Sequence, residues 1–354
     1  MTTASPLARA GRWLLESGIQ QASGGVARYY ISDSGTAKPV STEITGYAAS
    51  AFTWLFRITA EERYLGAARR AAEFLMFHAW NPQLKTFPVE LPPKFVYFFD
   101  CGIIVRGLIA FWRITREDQL IEIASEACHG MIRDFRFRPG PCYHPILSLP
   151  DKFPALRENR WSHQPGCYQL KAALAWHEVA EITGDRELRA AFEEALATAI
   201  ATSHDFLPGS RDRQTIMDRL HAYCYFLEGL AKFTDRKPCG AAYSEGVDRV
   251  AALLREIAPE FVRSDVYGQL LRARLLAHRI MPVDRDAAAH EAGELAAFQI
   301  SSDDPRSDGG WSFGRRNGEL SPHINPASTA FAIQALELWR SFQAGNTASC
   351  EPLV

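Results

Sequence analysis

Asp218, Arg219, His221 and Tyr223 lie within about two turns of a helical segment, and each can move a proton or stabilise charge. Asp218 and His221 stand at i, i+3 and share a face, while Arg219 and Tyr223 share one at i, i+4. A carboxylate beside an imidazole suits general acid/base work, and a tyrosine and an arginine suit an eliminative step. Asp100 supplies a second carboxylate to pair with Asp218, the arrangement that cleavage of a glycosidic bond requires. Further binding groups precede or open four more apolar segments: Glu43 and Tyr47; Trp161, His163, Gln164 and Tyr168; Asp265, Tyr267 and Gln269; Trp311, Arg315 and Asn325. Aromatic faces mixed with fixed hydrogen-bonding groups suit a ligand covered in hydroxyls. The same positions permit a plainer reading. Asp100, Asp218 and Asp265 each stand where an aspartate caps a helix, and aromatics at helix ends commonly pack.

The segments that carry these residues repeat. Residues 46–59, 101–115 and 166–183 are apolar and end in Ile-Thr; each meets a very tight acidic turn and then an alanine-rich amphipathic stretch. Acidic residues in the first turn of the second helix suit its macrodipole. A period of roughly 50–60 residues with two helices per unit predicts a helical array. Residues 216–233 with 241–257, and 264–280 with 284–300, continue it. Residues 326–342 form a sixth inner-type helix with no partner after it, and residues 6–21 a helix with no inner partner before it. Pairing these two gives six hairpins in a ring, whereas an open array leaves both ends uncapped. The expected fold is therefore an all-α (α/α)6 toroid over residues 1–343, with a polar tail at 344–354.

Inner-to-outer turns are short, whereas the outer-to-inner connections 79–98, 135–163, 205–215 and 301–325 are long. Connections far above the median of about 4–6 residues are usually functional or disordered. These are rich in aromatics and proline, which argues for order, and all of them open onto the amino ends of the inner helices. A site is expected there.

A hydrophobic content of 47% sustains a sizeable core, and a net charge of −2 offers no attraction to nucleic acid or an anionic membrane. No apolar stretch approaches the ~18 residues of a membrane span, and the amino end carries Arg9, Arg12 and Glu16 where a secretory leader is apolar. Seven cysteines without paired spacing predict free thiols and a cytoplasmic setting. No phosphate-cradling glycine loop or Gly-x-Ser-x-Gly elbow is present, so no cofactor is expected. Cys128-His129-Gly130 is similar to the zinc motif of lanthionine cyclases, but it sits in an outer helix and Cys142 is too near to complete it; no metal is expected.

The order of elements resembles the six-hairpin (α/α) toroid superfamily of carbohydrate-active enzymes over nearly the whole chain. That resemblance implies a glycoside hydrolase, polysaccharide lyase or sugar epimerase, with acid/base residues on the rim described above and a small saccharide, oligosaccharide or uronate as its partner. The chain is also similar to toroid proteins of bacterial exopolysaccharide gene clusters. Gln299, Asp308-Gly309-Gly310-Trp311 and Asn325-Pro326-Ala327-Ser328 look like the structural Gln…Gly-Trp repeat of terpene cyclases, whose catalytic Asp-x-Asp-Asp is absent. Two other functions fit the same elements: a non-catalytic glycan-binding or polysaccharide-assembly protein, and a prenyl-binding toroid.

Overall fold

A computed structural model describes residues 5–137, 140, 142–156, 160–258, 260–346 and 354. Its α-helices are α1 (Pro6–Glu16), α2 (Thr42–Thr59), α3 (Glu62–Phe74), α4 (Phe98–Thr115), α5 (Asp118–Phe135) and α6 (Gln169–Thr183). They continue as α7 (Arg186–Ser203), α8 (Arg213–Leu230), α9 (Lys237–Ile257), α10 (Ser264–Leu276), α11 (Arg285–Ala296) and α12 (Pro326–Gln343). Two compact units contain them. One spans Gln21–Val26 and Val40–His204 and holds α2 to α7; the other spans Met1–Gln20, Ala27–Pro39 and Asp205–Val354 and holds α8 to α12 with α1.

In the α2–α7 unit each hairpin turns on a single left-handed residue: Ala60 (φ 57°), Arg116 (φ 59°) or Gly184 (φ 77°). The recurrent threonine explains how so short a turn holds. Thr59 donates its hydroxyl to Leu55 O at 2.8 Å and accepts from Glu61 N at 3.2 Å; Thr183 repeats the pattern with Val179 O at 2.9 Å and Asp185 N at 3.3 Å. The helix end and the next helix start thus share one side chain. The inner helices α2, α4 and α6 pack in sequence, and glycine sets how near they come. A Cβ on Gly107 would stand 2.4 Å from Gly46 O, and one on Gly102 2.5 Å from Ala172 Cα. Glu178 of α6 joins α4 by accepting from Arg106 Nε at 3.0 Å and pairing with Arg113 at 3.1 Å.

In the other unit α8, α10 and α12 pack in sequence, and α1 lies beside α12 as the unpaired ends of the repeat predict. Arg9 bonds Asp308 and Ile300 O, both at 2.7 Å, and Trp13 Nε1 donates to Arg306 O at 2.8 Å. Gln299 donates to Pro6 O and Gly309 O, and Trp311 Nε1 to Leu295 O, so both side chains of that motif are used in holding chain to chain. α1 stops at Glu16, short of the expected residue 21, because Gly18 turns the chain with φ 81°. Fully buried Arg272 of α10 donates to Gln334 Oε1 at 2.7 Å, pairs with Glu228 and lies over the Phe331 ring at 4.5 Å. The tail was expected to be polar throughout, yet Val354 is buried and its backbone N–H reaches Gln334 Oε1 at 3.1 Å. Tail residues 347–353, including Cys350, lie outside the described residues. The other six cysteines are free thiols.

The long connections, expected to be ordered, contain short strands that the sequence reading did not identify. Phe95–Tyr97 pairs antiparallel with Ile146–Ser148, and Phe261–Arg263 with Gly314–Arg316. Alternating aromatic and β-branched residues suit short half-buried strands. Among the described residues no helix is long and apolar enough to cross a membrane.

Candidate functional site

The strand Phe261–Arg263 delivers Arg263 to the amino end of α10. Ser264 fixes that junction by donating its hydroxyl to Ser312 O at 2.6 Å, and the Arg263 guanidinium lies over the Phe313 ring at 4.5 Å. From there one fork holds two carboxylates. Nε and Nη2 donate to the Asp265 oxygens at 3.0 and 2.6 Å, and Nη1 donates to Asp218 Oδ1 at 2.7 Å. Such planar, bidentate charge-assisted pairs fix geometry as well as charge.

His221 completes the cluster. Its Nδ1 is 2.8 Å from Gln269 Oε1 and 3.4 Å from Asp265 Oδ2. Both neighbours are acceptors, so Nδ1 carries the proton and Nε2 keeps its lone pair. Burial pushes the imidazole pKa down to about 4, and the Arg263 cation adds to the effect against the opposing pull of Asp265. Burial alone raises the Asp265 carboxyl; Arg263, then His221 and its hydrogen bonds, bring it below the usual carboxylate range. The result is a neutral histidine of fixed tautomer beside a carboxylate whose charge Arg263 already balances. Gln269 is fully buried, and its Nε2 has no hydrogen-bond partner among the described residues. Asp218 is the solvent-facing member, with 35% of its side chain exposed.

Asp218 and His221, expected as acid/base groups, and Asp265 and Gln269, expected as binding groups, thus lie together, and the sequence reading overlooked Arg263, whose signal was an arginine two residues before an aspartate at a helix start. Arg219 and Tyr223 share a face as expected, but a different one. Arg219 donates to Phe206 O at 2.9 Å and stacks on the Phe206 ring at 4.2 Å, and Tyr223 packs on the rings of Phe206 and Phe226. Neither joins the histidine cluster, because residues two apart in a helix point to nearly opposite sides. None of the three aspartates stands at the N-cap position of its helix. Asp212, not Asp218, caps α8 by accepting from Thr215 N at 2.7 Å, while Asp100 and Asp265 lie inside the first turns of α4 and α10. Asn325 instead is a cap: its Oδ1 accepts from Ala327 N at 2.8 Å and Ser328 N at 3.1 Å. Trp311 is wholly buried, and Tyr267 and Arg315 stand on the side of α10 opposite Asp265 and Gln269.

The α2–α7 unit brings together a second group. Trp161, on a short turn with His163, meets Tyr168 edge-to-face at 5.0 Å, and Phe99 lies 6.1 Å from the same ring. The Tyr168 hydroxyl donates to Gln164 O at 3.0 Å, leaving the Gln164 side chain exposed. Lys171, a buried cation that sequence reasoning missed inside an apolar run, lies over the Tyr47 ring at 5.0 Å. Asp100 is buried and Glu43 half-buried in the first turns of their helices. Among the described residues no cluster of three or more histidine, cysteine or carboxylate groups is disposed to hold a metal. His129 instead pairs with Asp185 at 3.0 Å.

The chain matches no protein-family model and no curated protein. It is similar to solved structures along almost its full length. A cellobiose 2-epimerase from Spirochaeta thermophila is 13% identical with a TM-score of 0.71, covering 97% of this chain and 100% of that one. A D-mannose isomerase is 10% identical with a TM-score of 0.70, covering 96% and 100%. An unsaturated glucuronyl hydrolase from Bacillus sp. GL1, responsible for glycosaminoglycan degradation, is 13% identical with a TM-score of 0.66, covering 98% of each. At such identities the likeness speaks for fold, and it establishes the all-α (α/α)6 toroid class that the helical repeat predicts.

Proposed function

We propose that this chain is a carbohydrate-active enzyme working on a small saccharide or uronate by acid/base catalysis, with His221 as the proton acceptor. The observation that carries the reading is the neutral, tautomer-fixed imidazole, whose Nδ1 is engaged by Gln269 while Asp265 is balanced by Arg263. A base that keeps its lone pair at neutral pH takes a proton from a sugar carbon or from water; such a group contributes typically about 10²–10⁴-fold to rate. Asp218 is the second acid/base group, because its carboxylate reaches solvent while Arg263 fixes its position. The similar structures are named as a cellobiose 2-epimerase, a D-mannose isomerase and an unsaturated glucuronyl hydrolase, which supports a saccharide or uronide as the substrate class.

Incubation with a panel of mono- and disaccharides and unsaturated uronides, followed by proton NMR of the products, tests the proposal. Conversion of at least one member is expected, together with its loss in Asp218→Asn. Asparagine keeps the shape and one acceptor for Arg263 but exchanges no proton, and a partly exposed ion pair contributes about 0–1 kcal/mol, so the melting temperature should hardly move. Saccharide binding without any conversion would replace the proposal by a non-catalytic glycan-binding role. Full turnover in Asp218→Asn would remove Asp218 from the mechanism.

A further inference from the structure

The face of α10 turned away from His221 borders a separate cavity of about 350 Å3. Ala251 and Leu254 of α9, Leu270 of α10 and Ala287 of α11 make its apolar wall. Alanine at two of these positions holds it open, since a larger side chain at either would fill the gap between the helices. Its polar groups gather on one side. Tyr267 of α10, Glu294 of α11 and Arg315 of the Gly314–Arg316 strand all line it, and Arg315 Nη2 donates to Glu294 Oε2 at 2.6 Å.

Three properties limit what such a cavity can hold. Its volume falls at the lower end of small-molecule sites, about 300–1,000 Å3, which suits a ligand of one sugar ring. Its inner charges are already balanced: Glu294 by Arg315, and Glu291 by a bidentate bond to Arg274 at 2.6 to 3.0 Å. The remaining ionisable lining, Arg255 and His290, is exposed to solvent. A net charge on the ligand would therefore meet no unbalanced buried partner. Tyr267 is only 4% exposed, and no hydrogen bond to its hydroxyl is present among the described residues. Burial, with Glu294 beside it, pushes that phenol up to about 12, so it stays a donor throughout the neutral range. A side-by-side guanidinium and carboxylate present a donor and an acceptor at the spacing of vicinal hydroxyls, and the aliphatic wall accommodates the C–H face of a ring.

We infer that this cavity is a second ligand site, outside the His221 cluster, that takes a neutral pyranose-sized sugar by hydrogen bonds from Tyr267, Glu294 and Arg315. The inference is independent of whether the chain is an enzyme. Methyl-resolved NMR of the full chain, with isotope-labelled leucine, reads it directly. Titration with methyl β-D-glucopyranoside is expected to shift the Leu254 and Leu270 methyl signals saturably, with millimolar affinity. Ala287→Phe, which fills the cavity, should abolish those shifts. Glu294→Gln, which changes no volume, should weaken binding about tenfold or more and keeps the test decisive if the phenylalanine variant misfolds. No shift at either leucine in the wild type, or unchanged shifts in both variants, would overturn the inference. Shifts with D-glucuronate or inorganic phosphate but none with the neutral glycoside would overturn the assignment of a neutral sugar.

Discussion

Removing the His221 imidazole should flatten the acid sensitivity of the fold, and the size of the effect follows from its surroundings. The folded-state pKa is about 4 and the ordinary value 6.5, so the folded chain resists a proton that the unfolded chain accepts. The unfolded state then binds more protons between those values, and stability rises with pH across that window. It is fully present above pH 6.5, falls as pH drops toward 4, and is lowered by a constant amount below. A gap of roughly 2.5 units corresponds to about 3 kcal/mol, of which about 2 kcal/mol is lost between pH 7 and pH 5. Urea denaturation of wild type and His221→Gln at both pH values isolates this contribution, because all other titrating groups are shared. Wild type should lose about 2 kcal/mol more than the variant on going from pH 7 to pH 5. Parallel losses would refute the reasoning, as would a His221 imidazole that titrates near 6.5 in NMR of labelled histidine.

Three further outcomes follow from particular contacts. Arg263→Met strands the buried Asp265 carboxylate and should cost about 3–5 kcal/mol in chemical denaturation, with a rise in the His221 pKa; a loss below about 1 kcal/mol would mean that the fork does not hold the site. Gly102→Ala sets a methyl against the Ala172 backbone at the α4–α6 crossing and should destabilise by about 1–3 kcal/mol, read as a lower urea midpoint. Asn325→Ala removes the α12 cap and should cost about 0.5–2 kcal/mol while leaving saccharide conversion unchanged; a loss of conversion in a folded variant would return Asn325 to substrate binding.

Much of the architecture was legible because it repeats. The Ile-Thr endings, the acidic turns and the alanine-rich second helices recur three times, and each proves to be a hairpin; in the first and third a threonine hydroxyl couples the two helices. The pairing of α1 with α12 was legible for a different reason, since each was the one helix of its end without a partner. The strands within the long connections were not, because segments as short as Phe95–Tyr97 carry too little periodicity to stand out from a loop. At the site, helical spacing set Asp218 with His221 on one face and Arg219 with Tyr223 on another, and the two pairs meet different partners. Spacing says nothing about which face meets another element, so it gave Arg219 a chemical part where Phe206 in fact holds it. Arg263 was overlooked for the same reason: its partners Asp218 and Asp265 converge only once α8 packs on α10. Asn325 and Trp311 were ambiguous in sequence, since a helix cap and a buried indole use the residue types that also line a sugar site.

In the proposed reaction His221 accepts the proton from a sugar or from water. This role is tested most directly by turnover of the best substrate of the NMR panel in wild type and His221→Gln, measured alongside binding of the same substrate by calorimetry. Glutamine retains a polar group able to meet Gln269 but cannot accept the catalytic proton. The variant should fold, bind the substrate within about threefold of wild type and turn it over at least about 10²-fold more slowly. Wild-type turnover in His221→Gln would contradict that role.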